Sequence, residues 1–298
     1  MSIVKRNNLK AWLYLLPAFL LLTAFMLYPL LDVIIYSFEE NFAFVTQTYT
    51  GVGFENYQYI FKDPDFYSAI KNSCIILITV PISTIIAILL AVGLNSIKPL
   101  KKIFETIFFL PYVTNTLAVG LVFMIIFDST PLNHGLANMI LGWFNIDPID
   151  FIRGPYWAKM LVLSFYIIWN VMPFKILVLV GALQSVNKQY YQAAKLDQAS
   201  SARMFYRITV PMISPMIAYL IITGFIGGFK EYNNAVALFG EDLNAAEMNT
   251  IVGYIYNMLY FETGGYPSYA AAAAIVLFCI IFTITCINLL VSKKKVYY

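Results

Sequence analysis

Charge is what this chain has least of: 12% of its 298 residues are Asp, Glu, Lys or Arg, where a soluble domain carries about a quarter. So few charges leave too little polar surface to dissolve a compact globule. There is one histidine, His134, and there are three cysteines, Cys74, Cys279 and Cys286. A metal site needs clustered ligands, and this distribution offers none. The cysteines all lie in apolar runs and are expected to be small buried hydrophobes. Cys279 and Cys286 share a helix face, but one helix cannot close a disulfide over that distance. No Gly-x-x-x-x-Gly-Lys phosphate loop occurs, so the chain cannot bind ATP in that way. The net charge of +3 is sorted along the chain and forms no basic face, which argues against nucleic acid as a partner.

What is present is hydrophobic residue, 60% of the chain, with a mean hydropathy of +0.74. The relevant ruler is the bilayer, crossed by about 20 apolar residues. Spans are expected at about 12–37, 70–94, 106–127, 157–183, 208–229 (running on to 238 if that helix continues) and 269–291. The first follows Lys5, Arg6 and Lys10. It is too long for a signal-peptide core and lacks a small-residue cleavage site, which predicts an uncleaved anchor.

Orientation follows from the cations. Lys5, Arg6 and Lys10, then Lys98, Lys101 and Lys102, then Lys188, Lys195, Arg203 and Arg207, then Lys293, Lys294 and Lys295 hold most of the Lys and Arg. The alternate connections hold acids, among them Glu39, Glu40, Asp63, Asp128, Asp147, Glu241, Asp242 and Glu262. By the positive-inside rule this is an all-α membrane protein with six transmembrane helices and both termini cytoplasmic. Trp12, Trp143 and Trp157 fall near the expected interfaces. The whole of 1–298 forms one transmembrane domain. Ala270–Ala274 and the pair Gly224 and Gly228 suit close helix packing.

The fourth connection is unusual. From Ser185 to Pro211 it is polar enough to leave the membrane yet rich in helix formers. Tyr190, Tyr191, Ala194 and Leu196 fall largely on one side of a short helix. Asp197 interrupts, and Ser200 and Ser201 precede a second helix with Met204, Phe205 and Ile208. Such a pair docks into a groove of a partner protein or lies on lipid headgroups; the residues alone leave both open.

Gln192-Ala193-Ala194, three residues, Gln198, nine residues, Ile208, then Val210-Pro211 resembles the EAA loop of binding-protein-dependent ABC importer permeases. The family pattern there is Glu-Ala-Ala, three residues, Gly, nine residues, Ile-x-Leu-Pro. All spacings are kept, while Gln192, Gln198 and Val210 depart. Leu15-Leu16-Pro17, Tyr28-Pro29, Phe54-Glu55-Asn56-Tyr57, Phe108-Phe109-Leu110-Pro111 and Gly181-Ala182-Leu183-Gln184-Ser185 resemble the carbohydrate-uptake branch, the maltose and glycerol-phosphate type.

The resemblance implies a transport subunit, not an enzyme, in a bacterial cell membrane, inner or plasma. It forms a translocation path for a carbohydrate, an oligosaccharide by expectation. Partners would be a second homologous permease, two ATPase subunits that bind ATP and Mg, and an extracellular or periplasmic solute-binding protein. The chain itself would hold no cofactor. A coupling loop at 185–211 would place Tyr191, Gln192, Ala193, Ala194, Asp197, Gln198, Ala199, Phe205 and Pro211 at the ATPase. A glycine at 198 would allow positive φ; with Gln198 a different turn is expected. The competing class, a secondary transporter of a small polar solute, is disfavoured by few central acids and no visible repeat.

Ionisable residues within spans are functional candidates. Asp32 lies late in the first span. Lys175 sits mid-span beside Trp169, Asn170 and Pro173, and Pro173 is expected to kink that helix. Lys230 and Glu231 close the fifth span, ahead of Asn234. The resemblance carries Gly227, Gly228, Glu231 and Asn234 over as sugar-path candidates. The structural alternative is an ion pair of Lys175 with Glu231 or Asp32. A free Lys175 would favour an acidic sugar, which Glu231 would oppose.

Overall fold

The computed structural model describes residues 2–97, 101–130, 133–260 and 266–295. Lys98 and Glu262 lie outside the described residues, as do the side chains of Lys5, Arg6, Lys101, Lys102, His134, Lys293, Lys294 and Lys295. The described chain is predominantly helical.

In order, helix α1 (Ser2–Leu22) passes through a π turn (Thr23–Leu27) into α2 (Tyr28–Phe38). Strands β1 (Glu39–Glu40) and β2 (Gly51–Val52) pair antiparallel, and α3 (Glu55–Ile60), α4 (Pro64–Ile76) and α5 (Thr79–Ser96) follow. Then come α6 (Lys101–Val113), α7 (Thr116–Ile126), the pair β3 (Ser129–Thr130) and β4 (Asn133–His134), α8 (Leu136–Trp143) and the long α9 (Tyr156–Ser185). The remainder is α10 (Lys188–Leu196), α11 (Ser201–Met204), a second π turn (Phe205–Thr209), α12 (Val210–Met212), α13 (Ser214–Phe229), α14 (Asn233–Phe239), α15 (Ile251–Leu259) and α16 (Pro267–Lys295).

Among the described residues four stretches are long and apolar enough to cross a bilayer unaided: Lys10–Phe38, Pro64–Ser96, Tyr156–Ser185 and Pro267–Ser292. The other two expected spans are not straight helices. In the third, α6 and α7 meet at 106°. Pro111 withholds a backbone donor, and the Asn115 side chain caps α7 by accepting from the backbone N–H of Leu117 at 2.8 Å. In the fifth, the helix from Ser201 bends by 65° before Ser214. Its far end also stops, because α13 closes at Phe229 and a new helix starts at Asn233, so there is no continuous helix to 238. Pro173 lies within the helix α9, which continues from Tyr156 to Ser185.

The chain divides into two compact units. One contains 1–63 and 254–278. Within it the Phe54-Glu55-Asn56-Tyr57 stretch has a structural job. The buried Asn56 amide donates to the carbonyls of Ser37 (3.0 Å) and Glu39 (3.1 Å), and the Tyr57 hydroxyl donates to Ser37 Oγ at 2.8 Å. Both tie the end of α2 to α3. The Ser268 hydroxyl accepts from the Phe42 N–H at 3.0 Å, and Tyr59 stacks on Tyr269 with ring centres 4.1 Å apart. Ala272 and Ala273 are fully buried, as the alanine run leads one to expect.

The second unit contains 64–253 and 279–298. One core gathers Phe123 of α7, Tyr166 and Ile167 of α9, and Ala235 and Leu238 of α14 with Met248. Gly120 permits the α7–α14 approach, since a β-carbon there would strike Ala237. A second core packs Ala87, Ala91 and Leu94 of α5 against Ile176, Leu179 and Leu183 of α9 and Leu220 of α13. Small residues let these backbones come close where lipid supplies no hydrophobic drive between helices. The same logic holds for α13: a β-carbon on Gly224 would lie 2.6 Å from Val80 Cγ1, and one on Gly228 2.9 Å from Leu77. In the loop after α7, the Thr130 hydroxyl and two backbone N–H groups bond the Asp128 carboxylate and hold it below the usual carboxylate range.

The cysteines are not buried. Cys74 and Cys279 are exposed and Cys286 is partly so. Their apolar surroundings in sequence mark the outer surface of membrane-crossing helices, where apolar residues face hydrocarbon and not a core.

Candidate functional site

In the second unit, α5, α6, α9 and α13 enclose an open cavity of about 350 Å³. Asn170, Lys175, Gly227, Gly228 and Glu231 all line it, so five of the expected path residues are brought together. Asn234 stands behind them. Its side-chain amide donates to Glu231 Oε2 at 2.9 Å, and its backbone N–H donates to Glu231 Oε1 at 3.0 Å. Asn170 Nδ2 donates to Asn234 Oδ1 at 2.8 Å. Glu231 therefore caps α14 and anchors a chain of polar groups reaching α9, the kind of satisfied network that fixes side-chain positions.

Two expected residues fall elsewhere. Trp169, one position on from Ile168, points into a separate apolar recess with Phe108, Pro111, Phe165 and Met172. Lys230 is exposed and does not line the cavity.

Among the described residues Lys175 has no acidic partner. Its ammonium donates to Ser83 Oγ (2.7 Å), Thr84 Oγ1 (2.9 Å) and the Val80 carbonyl (3.1 Å), and the residue is 4% exposed. Three donors meet three neutral acceptors on one helix, α5. The ion pair with Glu231, one of the structural alternatives the residues left open, does not form, because each residue is already satisfied by a different neighbour. Sequence spacing could not show this, as Ser83 and Thr84 read only as span residues.

Sequence reasoning also passed over Tyr112, Phe174 and Thr223. Tyr112 and Phe174 lie with ring centres 6.0 Å apart and nearly parallel, both on the cavity wall. An aromatic surface is supplied here by Tyr112, in the last turn of α6 ahead of the bend, and by Phe174 of α9, in place of Trp169. The cavity thus offers amide, hydroxyl and carboxylate groups beside aromatic faces, a combination suited to a polyhydroxylated ligand.

The loop between α9 and α13 folds as two helical segments with a defined turn. Asn187 caps α10, accepting from the Gln189 N–H at 2.9 Å, and Ser200 caps α11, accepting from the Arg203 N–H at 3.3 Å. At the turn the Gln198 N–H donates to the Lys195 carbonyl (3.1 Å) and the Ala199 N–H to the Ala194 carbonyl (2.9 Å). That pair of bonds is a Schellman motif, which needs a left-handed residue just past the cap. Gln198 takes φ +56°. The turn is therefore the one a glycine would make, contrary to the expectation of a different turn: the paired carbonyl bonds fix the backbone in spite of the side chain.

Around that turn Gln192, Ala193 and Asp197 are exposed, Ala194, Ala199, Phe205 and Pro211 are half-buried, and Leu196 is 86% exposed. Tyr191 is not on the outer surface. Its hydroxyl shares a hydrogen bond of 3.0 Å with Thr209 Oγ1, and its ring packs against the α5–α9–α13 core.

Residues 67–295 match the family described as binding-protein-dependent transport system inner membrane component. The chain is similar to the arabinooligosaccharides transport system permease protein of Bacillus subtilis, at 31% identity over 94% of this chain and 88% of that one. It is 30% identical to the lactose transport system permease protein of Rhizobium radiobacter, over 99% and 97% of the two chains. A Streptococcus mutans multiple sugar-binding transport system permease protein is 27% identical over 97% of each. The fold is that of a chain in the crystal structure of a bacterial alginate ABC transporter in complex with an alginate pentasaccharide-bound periplasmic protein. The TM-score there is 0.80 at 23% identity, covering 98% of this chain and 96% of that one.

Proposed function

The chain belongs to the binding-protein-dependent transport system inner membrane components, and on that footing we propose that it is one of two homologous transmembrane subunits of an ATP-driven importer for an oligosaccharide. The four continuous helices and two bent pairs make six spans across a bacterial cell membrane, with both termini cytoplasmic. Two ATPase subunits bind ATP and Mg and grip the 185–211 loop. A periplasmic or extracellular solute-binding protein delivers the cargo.

The observation that carries the carbohydrate reading is the cavity, where Asn170, Glu231 and Thr223 stand beside the rings of Tyr112 and Phe174. Sugars need several hydrogen-bonding partners and an apolar surface at once, and relatives named for arabinooligosaccharides and lactose point the same way. Coupling is supported by the capped helix pair, with Leu196 protruding at the turn as an anchor for a partner's groove.

A mild-detergent pull-down of the tagged chain from its native host tests the assembly. Co-purification of an ATPase, a second permease and a binding protein is expected. Recovery of the chain alone, still moving solute on an ion gradient, would overturn the reading.

A further inference from the structure

Two ionisable groups of opposite charge line the cavity, Lys175 and Glu231, yet they are not equally available to a ligand. The three N–H donors of Lys175 are all engaged by Val80, Ser83 and Thr84, and the residue is almost fully buried. An entering anion would have to break one of these bonds to reach the cation. Glu231 differs. Asn234 gives its carboxylate two bonds and the Tyr232 backbone N–H a third, which leaves an acceptor site open, since a carboxylate offers about four. The residue is only half-buried. Lys230, the next cation along the chain, does not line the cavity.

From this asymmetry we infer that the cavity admits an uncharged polyhydroxylated sugar and rejects one bearing a carboxylate. A hydroxyl group of a neutral sugar can donate to the acceptor site that Glu231 keeps open. The Thr223 hydroxyl, whose hydrogen goes to the Tyr219 carbonyl at 2.8 Å, likewise presents an acceptor. A uronate would shed its hydration, find no free cationic donor and approach a second carboxylate, and burying a charge without a partner is costly. The inference rests on the carbohydrate reading above and narrows it to one substrate class.

The cavity's charge preference can be measured without knowing the cargo. Cys74, Cys279 and Cys286 are replaced by serine in the full chain, and Gly227→Cys places a thiol where an added β-carbon meets nothing within 4 Å. Thr223→Cys is the second position, should the first fail to insert. In native membranes the thiol is reacted with a cationic and an anionic methanethiosulfonate of matched size, each normalised to its rate with free cysteine. A carboxylate within the cavity is expected to favour the cationic reagent by on the order of tenfold, and Glu231→Gln should largely abolish that preference. Equal or faster anionic labelling in the parent would overturn the inference, as would a cationic preference that survives Glu231→Gln. Parallel uptake of neutral and uronate pentasaccharides by the whole importer separates the two levels. Uptake of neither contradicts the carbohydrate reading, whereas equal uptake of both contradicts this inference alone.

Discussion

Lys175 Nζ lies 2.7 Å from Ser83 Oγ, so the mid-span cation of α9 is held by a hydroxyl on α5 and not by an acid. A charge without a counter-ion in a membrane protein is tolerated only when its donors are satisfied. Removing acceptors should therefore hurt more than removing the charge. Ser83→Ala combined with Thr84→Val is expected to cost about 1–3 kcal/mol of thermal stability in detergent. Adding Lys175→Met should recover most of that loss, because Met fills the same space and leaves no buried ammonium unpaired. A triple variant as unstable as the double one would contradict this description of the α5–α9 contact.

The close approach of α13 to α5 gives a paired test. Gly224→Ala would drive a methyl group into the buried Val80 side chain and should cost about 1–3 kcal/mol. Gly227→Ala, three residues on and facing open space, should stay within about 0.5 kcal/mol of the parent. Equal effects at the two positions would mean that the packing at Gly224 is not as tight as described.

Gln198 supplies a third test. Its left-handed φ costs a residue with a β-carbon roughly 1–2 kcal/mol, and β-branched residues tolerate that region least. Gln198→Gly should keep ATP-driven uptake intact with equal or higher stability. Gln198→Val should lose both loop stability and uptake. Normal uptake by the valine variant would argue that the Schellman turn has no part in coupling.

The Tyr191–Thr209 hydrogen bond links α10 to the π turn that leads into the fifth span. Tyr191→Phe deletes that bond and keeps the ring. Transport per ATP hydrolysed should fall by about two- to tenfold, the equivalent of one hydrogen bond, while insertion and ATPase rate are maintained. An unchanged ratio would show that the link is only structural.

Much of this was legible in advance, and the misses share a cause. Long apolar runs expose candidate membrane-crossing helices directly, because lipid imposes one length scale on every crossing helix. Asn170 stands out by residue type, whereas Glu231 and Asn234 are singled out through the resemblance; the structure brings the three together. The cysteines were misjudged because burial in a membrane protein and apolar sequence are different things. The 106° break at Thr114–Asn115 was missed because an Asn that caps a helix reads, in sequence, like any polar residue in a span. The partners of Tyr191 and Lys175 are not legible in the sequence, because helical spacing gives a side chain's direction but not the neighbour that meets it. The left-handed Gln198 was doubted because propensity is a weak guide where two backbone bonds already fix the turn.

The central claim, that this chain is a permease driven by a partner ATPase through the 185–211 loop, is tested most directly by uptake in proteoliposomes holding the purified assembly. Neutral oligosaccharide loaded on the binding protein should enter only with ATP on the loop side. Ala194→Glu should abolish entry by placing a charge on the half-buried face of α10, and omission of the ATPase should abolish it as well. Uptake by this chain without the ATPase, driven by an ion gradient and indifferent to Ala194→Glu, would contradict the account.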